Sequence, residues 1–492
     1  MIAASDLPDS HRLLVSGHED CDCACPVSPD RARLADPPRP MEWADTQRWI
    51  CGPDVMESEL DADHWLLFNP LGSGGVVVVN GLAHRIFRCF ERPAALADAA
   101  TAVPGGDDEA AGIVRRLGEL GLIQPDGGVI RPWFSPGRVL TAWLHVSNAC
   151  NLRCPYCYVS KSSDGMDERT GLAAVDAVVR SALDHGFPAI KLKYAGGEAS
   201  LNRKLVLRLH DHARELADRN GLELQATLLS NGVTLPPGFV TNLKDAGVRI
   251  MISLDGVGDR HDAQRRFVNG KPSFRFVEQT IGQLIEQDYP PHLSVTVTSR
   301  NVGGVADVVR FALDRDLIFS LNLFRDNDCA ASFPDLQYEE REIISAFLSA
   351  FAVIEESLPA WSVLGSVLDR GQLLEPRQRP CGVGQDYVVI DHHGKVAKCH
   401  MEIERTLGDI FADDPLSLVR NDRTTALNLL VDEKEGCRDC TWRYWCSGGC
   451  SVATFRATGR YDIKSPNCAI YKAIYPQALR LEALRLLRYA SG

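Results

Sequence analysis

Three cysteines constrain this chain more than any other feature. Cys150, Cys154 and Cys157 lie in NACNLRCPYCYV, directly after the apolar stretch LTAWLHVS. An apolar run of that length bounded by polar residues predicts a buried strand, so the three thiols share one loop beyond a strand end. Such a loop can wrap three thiolates around three irons of a cubane and leave the fourth iron open. Soft thiolates suit iron–sulfur clusters or zinc. A structural zinc ion would want a fourth Cys or His nearby, and none follows within the next several residues, while His145 lies on the strand itself.

Between about 140 and 325, apolar strands alternate with amphipathic helices. LTAWLHVS, AIKLKYAG, LELQATLLS, RIMISLDG, HLSVTVTS and IFSLNLF are the six expected strands. Helical patterns separate them, as in RKLVLRLHDHARELADRNG and Val305–Leu313. Six βα units in this order imply parallel strands with right-handed crossovers in an open or partial barrel, an α/β fold. Ligands of such folds sit at the carboxyl ends of the strands. The polar motifs fall at those ends: Gly196-Gly197-Glu198 after the second strand, Ser230 and Asn231 after the third, Ser253 near the end of the fourth. Arg265 follows in DRHDAQRRF.

In this succession the segment resembles the radical S-adenosylmethionine (SAM) superfamily, whose fold is a partial (β/α)6 TIM-like barrel. The resemblance implies that Cys150, Cys154 and Cys157 hold a [4Fe-4S] cluster and that Tyr156 packs against adenine. It also implies that Gly196, Gly197 and Glu198 hold the methionine ammonium, and that Ser230, Asn231 and Ser253 bind the methionyl and ribose parts. Arg265 would pair with the SAM carboxylate, since a guanidinium fork matches carboxylate geometry.

Sixteen cysteines are many for a chain in a reducing compartment, where clustered thiols point to metal or redox chemistry. Besides the first three, seven fall between 381 and 468: Cys381 and Cys399 flank a hairpin around His392-His393-Gly394, then come Cys437, Cys440, Cys446, Cys450 and Cys468. Seven thiols are too many for one tetrahedral zinc, and two zinc sites would leave one over. The arrangement resembles the SPASM domain, which holds two auxiliary [4Fe-4S] clusters. By that resemblance Cys437, Cys440, Cys446 and Cys468 fully ligate one, and Cys381, Cys399 and Cys450 hold the other. The eighth cysteine of fully ligated relatives is missing from LLEPRQRP, which leaves one iron open or bound to another residue. The expected cofactors are therefore SAM and three [4Fe-4S] clusters.

Residues 1–58, rich in Asp, Pro, Ser and Arg, are expected to form a flexible extension, with Cys21, Cys23 and Cys25 as adventitious thiols. In 59–130, two strands (HWLLFNP and GVVVVNG) and three helices resemble the winged-helix domain of PqqD-like proteins, the RiPP recognition elements that grip the leader of a ribosomally made peptide. GVVVVNG is the strand expected to stand exposed and accept a peptide by strand addition. A linker over 131–139 leads to the barrel at 140–330, a helical connector at 331–374, the SPASM domain at 375–470 and a C-terminal helix at 471–492.

A formal net charge of −12 excludes non-specific nucleic-acid binding. No apolar run approaches the ~20 residues of a membrane span, and the N-terminus lacks a secretory layout, so a cytoplasmic protein is expected. The resemblance implies a peptide or protein maturase that installs a thioether or carbon–carbon cross-link in a ribosomal precursor peptide or small protein subunit, fed by a flavodoxin- or ferredoxin-type donor. The alternatives are oxidation of Ser or Cys to formylglycine, as in sulfatase maturases, and a non-catalytic cluster scaffold, which would not need the Glu198 and Arg265 motifs. Asp326 and Asp328, beyond the sixth strand, are the candidate catalytic carboxylates.

Overall fold

In the computed structural model, which describes residues 13–15, 47–72, 74–100, 107–130, 132–134, 137–365, 367–369 and 373–489, the N-terminal part is built around six short strands. These are β1 (Leu14–Val15), β2 (Trp49–Cys51), β3 (Met56–Glu59), β4 (His64–Phe68), β5 (Val77–Asn80) and β6 (Ile123–Pro125). Four of them form an antiparallel sheet in the order β1-β5-β4-β3, and β2 pairs with β6. Helices Gly81–Arg88, Leu96–Ala100 and Asp107–Glu119 follow β5, the first capped by the Asn80 side chain accepting from the Ala83 amide at 2.9 Å.

The run VVVV is explained by burial on both sides. Leu67, Val77 and Val79 face the three helices, while Leu66, Phe68, Val76 and Val78 join the main core of the molecule. Phe68 meets Trp442 and Trp445 at ring-centroid distances of 5.8 and 4.8 Å, and Trp445 Nε1 donates to the Pro70 carbonyl at 2.8 Å. Two sequence expectations change here. Strands β1 and β2 and the first three residues of β3 lie within the 1–58 span expected as a flexible extension, so ordered chain begins well before residue 59. Moreover, the GVVVVNG strand does not stand free, because β5 runs between β1 and β4. Strand β3 escaped the sequence pattern because MESE is an edge whose Glu57, Ser58 and Glu59 are exposed and show no apolar alternation. Cys21, Cys23 and Cys25 lie outside the described residues.

The central sheet follows the expected order. Strands β7 (Val139–Ser147), β8 (Ala189–Gly196), β9 (Glu223–Ser230), β10 (Arg249–Ser253), β11 (His292–Val297) and β12 (Phe319–Leu323) pair in parallel, each with its successor. Helices Glu168–Asp184, Arg203–Asn220, Pro237–Asp245, Phe274–Glu286 and Val305–Leu313 supply the crossovers. The sheet does not stop at β7. Strand β13 (Tyr387–Ile390) pairs with β7 in parallel, Tyr387 opposite Thr141, and continues antiparallel through β14 (Lys395–Ala397) and β15 (Thr406–Asp409). The hairpin expected around His392-His393-Gly394 thereby becomes part of the barrel sheet, and all nine residues of β7 are buried. The connector contains helix Glu340–Glu356, and the C-terminal helix starts at Cys468 rather than 471. No helix among the described residues is long and apolar enough to cross a membrane.

Candidate functional site

The cysteine loop is fixed by what the next strand end allows. Gly196 has φ 154°, and the Gly197 and Glu198 amides donate to the Ser147 and Ala149 carbonyls at 2.7 and 2.8 Å. A Cβ on Gly196 would sit 2.2 Å from the Ser147 oxygen, and one on Gly197 2.4 Å from the Ala149 oxygen. The two glycines are thus required by backbone packing against the start of the cysteine loop.

Glu198, 2% exposed, ties the second strand end to the third. Its carboxylate accepts from Ser230 Oγ at 2.9 Å, the Asn231 amide at 2.6 Å and the Ser200 amide at 3.1 Å. Asn231 in turn donates through Nδ2 to Asn151 Oδ1 at 2.7 Å and approaches Cys150 Sγ at 3.8 Å. Sequence motifs at three strand ends therefore form one hydrogen-bonded network. Ser253 ends β10, half-buried, opposite Ser294 of β11.

Arg265 and Tyr156 meet on a residue that sequence reasoning missed. Tyr156 OH donates to Asp255 Oδ2 at 2.6 Å and accepts from Arg265 Nη1, which lies 3.6 Å from the same carboxylate oxygen. Gln264 adds a bond to that oxygen at 3.1 Å, and the Thr296 amide donates to Asp255 Oδ1 at 2.9 Å. The signal for Asp255 was its place in SLDG at the fourth strand end. Arg265 Nε is buried without a hydrogen-bond partner.

Burial pushes the Cys154 thiol up to about 12 and raises that of Cys150, with Arg265 opposing the first and Lys161 the second. Lys161 Nζ is 2.7 Å from Cys157 Sγ; burial disfavours its charge, but the thiols of Cys157, Cys150 and Cys154 outweigh burial and hold it above the usual lysine range. Three soft donors on one loop beside a cation suit a negatively charged iron–sulfur cluster. Binding would have to displace the thiol protons.

The C-terminal thiols fall into two sets. Cys437, Cys440, Cys446 and Cys468 line one cavity together with Tyr471 and Tyr475. Cys381, Cys399 and Cys450 share an apolar cluster with Trp143, Tyr387 and Met401. Asn428 Nδ2 donates to the Cys381 and Val383 carbonyls at 2.7 and 3.0 Å and approaches Cys381 Sγ at 3.8 Å. Lys434, 1% exposed, donates to the Ser447 carbonyl at 3.3 Å. Burial disfavours its ammonium most strongly, while Cys437 and Cys446 of one set and Cys381 and Cys450 of the other favour it. Neither Asn428 nor Lys434 was legible, because a loop lysine or asparagine carries no pattern of its own. Among the described residues, no three His, Cys, Asp or Glu side chains converge tightly enough for a single metal ion.

A cavity of about 560 Å³ opens near both cysteine sets, lined by residues that neighbour them in sequence. Tyr158, next to Cys157, and Met401, close after Cys399, line it together with Asp326, Asp328, Cys329 and Arg456. Asp326 and Asp328 are both exposed. Arg456, 2.8 Å from Asp328, holds that carboxyl below its ordinary value, which makes it a weak base.

Residues 144–312 match the radical SAM superfamily model. The sporulation killing factor maturation protein SkfB of Bacillus subtilis is 29% identical over 171 residues, 35% of this chain and 38% of that protein. The PqqA peptide cyclase of Bradyrhizobium diazoefficiens is 24% identical over 374 residues, 70% of this chain and 90% of that protein. A solved structure of native anSMEcpe with bound AdoMet and Cp18Cys peptide superposes with a TM-score of 0.58 at 19% identity, over 72% of this chain and 99% of that one. The match spans 57% or less of the length of several curated relatives. The fold is the radical SAM α/β fold, a partial barrel carrying N- and C-terminal additions, and the superfamily match falls within that barrel.

Proposed function

We propose that this chain is a radical SAM maturase that installs a thioether or carbon–carbon cross-link in a ribosomally made peptide or small protein subunit. The observation that carries this reading is the cavity lined by Tyr158 and Met401. Its lining includes Tyr158, next to the barrel cysteine Cys157, and Met401, two residues after Cys399 of the second set, which supports a substrate bound near both. Relatives named for maturing a killing factor and for cyclising the PqqA peptide support a peptide as the substrate class.

In this reading Cys150, Cys154 and Cys157 hold the cluster that, when reduced, supplies a 5′-deoxyadenosyl radical from SAM for hydrogen abstraction. Glu198, oriented by Ser230 and the Asn231 amide, presents its carboxyl group at the second strand end for the methionine ammonium. Arg265, held by Asp255 and Tyr156, presents a guanidinium whose Nε is free for a carboxylate. Cys437, Cys440, Cys446 and Cys468 hold one auxiliary cluster, and Cys381, Cys399 and Cys450 the other, with a flavodoxin- or ferredoxin-type protein as the electron source. The N-terminal unit, with its β-sheet and three helices, would grip the peptide leader in the manner of PqqD-like domains.

The test is anaerobic incubation of dithionite-reduced, reconstituted protein with SAM and a Cys-containing peptide encoded beside this chain. Mass spectrometry should show a peptide product lighter by two hydrogens, with 5′-deoxyadenosine formed alongside. 5′-Deoxyadenosine without any change in such peptides would contradict the substrate class.

A further inference from the structure

The N-terminal sheet has two sides at which a strand can add, and they differ. Strand β3 closes one side with exposed Glu57, Ser58 and Glu59, Glu57 being paired to His84 at 2.8 Å and Arg88 at 3.1 Å. A charged edge of that kind discourages further pairing. The other side is the flank of β5, where Val76 and the strand residues Val77–Val79 are at most 1% exposed with β1 in place. Backbone groups at so buried a flank cost about 1–3 kcal/mol each if left unpaired, so this side demands a partner strand.

The partner is the chain's own β1, two residues long, with Leu14 opposite Val78 and Val15 opposite Val77. Its side chains alternate as a strand should. Leu14 packs on the main core beside the C-terminal helix, while Leu13 and Val15 pack on the core of the three helices. All three remain half-buried. So short a pairing is weak. Ordering each residue costs roughly 1–2 kcal/mol of backbone entropy, against the burial of three partly covered side chains.

The geometry points to an exchangeable occupant: Leu13–Val15 hold in cis the flank of β5 at which an extended peptide with apolar residues at alternate positions adds as a strand. This rests on the reading of the N-terminal unit as the peptide-gripping part. It adds that an incoming peptide must displace the chain's own segment, which competes from a tether at high effective concentration.

The probe is a fluorescein-labelled synthetic peptide of the chain's own sequence DSHRLLVSGHE, titrated by anisotropy into full-length protein and into a variant lacking residues 1–15. The truncated protein should bind it at least tenfold more tightly than the full chain, and a probe with Leu14→Asp and Val15→Asp should not bind. To separate loss of the occupant from any destabilisation by truncation, the same titration is made on the full chain carrying Leu14→Asp and Val15→Asp, which should also gain affinity for the unmodified probe. Equal affinities across the three proteins, or no binding to either variant, would overturn the proposal. No substrate is used, so failure here leaves the peptide-modification reading standing. Failure of that reading would leave the strand exchange intact but without a function in maturation.

Discussion

The two cysteine-bearing regions reach their order by opposite routes. In the barrel the thiols sit on one loop, and their neighbours come from strand ends already aligned by the parallel sheet. Glu198, Ser230, Asn231 and Asp255 all lie at or just beyond β8, β9 and β10. In the C-terminal region the thiols come from turns and helix starts or ends with few regular strands, and what stands among them is Lys434, reached only through folding. A sheet makes a site readable from spacing; a set of loops hides its partners. Both regions nevertheless place one buried or half-buried lysine against the thiols, Lys161 in the first and Lys434 in the second.

The largest effect should separate the regions outright. Cys154→Ala should reduce 5′-deoxyadenosine formation to background while iron bound by the C-terminal cysteines persists. Retained SAM cleavage would show that the barrel loop is not the radical site. Next is Asp255→Ala, which leaves the Arg265 guanidinium buried without its carboxylate, at a cost of about 3–5 kcal/mol. Thermal unfolding should register this loss, and calorimetry should register weaker SAM binding; a change under 1 kcal/mol would mean that Tyr156 alone holds Arg265.

The two lysines sharpen the comparison. Removing a cation next to a cluster disfavours the reduced, more negative state. Lys161→Met should therefore lower the potential of the barrel cluster alone, and Lys434→Met those of the auxiliary clusters alone. Each shift should be on the order of 50 mV, close to a tenfold change for one electron. Redox titration followed by EPR reads each cluster separately, and a shift shared by all of them would refute local control.

The smallest effect concerns the seam between the regions. Asp414 accepts from Ser181 at 2.8 Å, sits 2.6 Å from His185 Nε2 and also accepts from Ser417. Burial works to raise its pKa, but these hydrogen bonds outweigh burial and lower it to about 2. Its folded value lies below the unfolded ~3.9, so its stabilisation is present above about pH 4 and is lost as pH falls towards 2. Asp414→Asn should cost roughly 1 kcal/mol at pH 7, discounted for exposure, and only a small part of that as pH approaches 2. A pH-independent cost would show that shape, not charge, matters there.

What the sequence showed and what it hid follow the same division. The six barrel strands and the polar residues at their ends were legible because buried parallel strands are apolar runs and their ends carry the turn residues. The pairing of β13 with β7 was not, since Tyr387 and Thr141 are too distant in sequence for any local period to connect them. Strand β3 was hidden by its polar edge, and β1 by its two-residue length. Asp255 was visible in SLDG yet not singled out, because an aspartate beside a glycine more often marks a turn. Asp326 and Asp328 were correctly placed beyond the sixth strand, but only the fold could bring Arg456 to Asp328.

The central claim is that ten cysteines form three separate cluster sites, one in the barrel and two beyond it. Iron and zinc analysis with Mössbauer spectroscopy after anaerobic reconstitution tests this most directly, on the wild type and on variants with each cysteine set changed to alanine. The account predicts about twelve irons in the wild type and about eight in each variant, all as four-iron clusters. About four irons in the wild type, with zinc filling the C-terminal thiols, would contradict it.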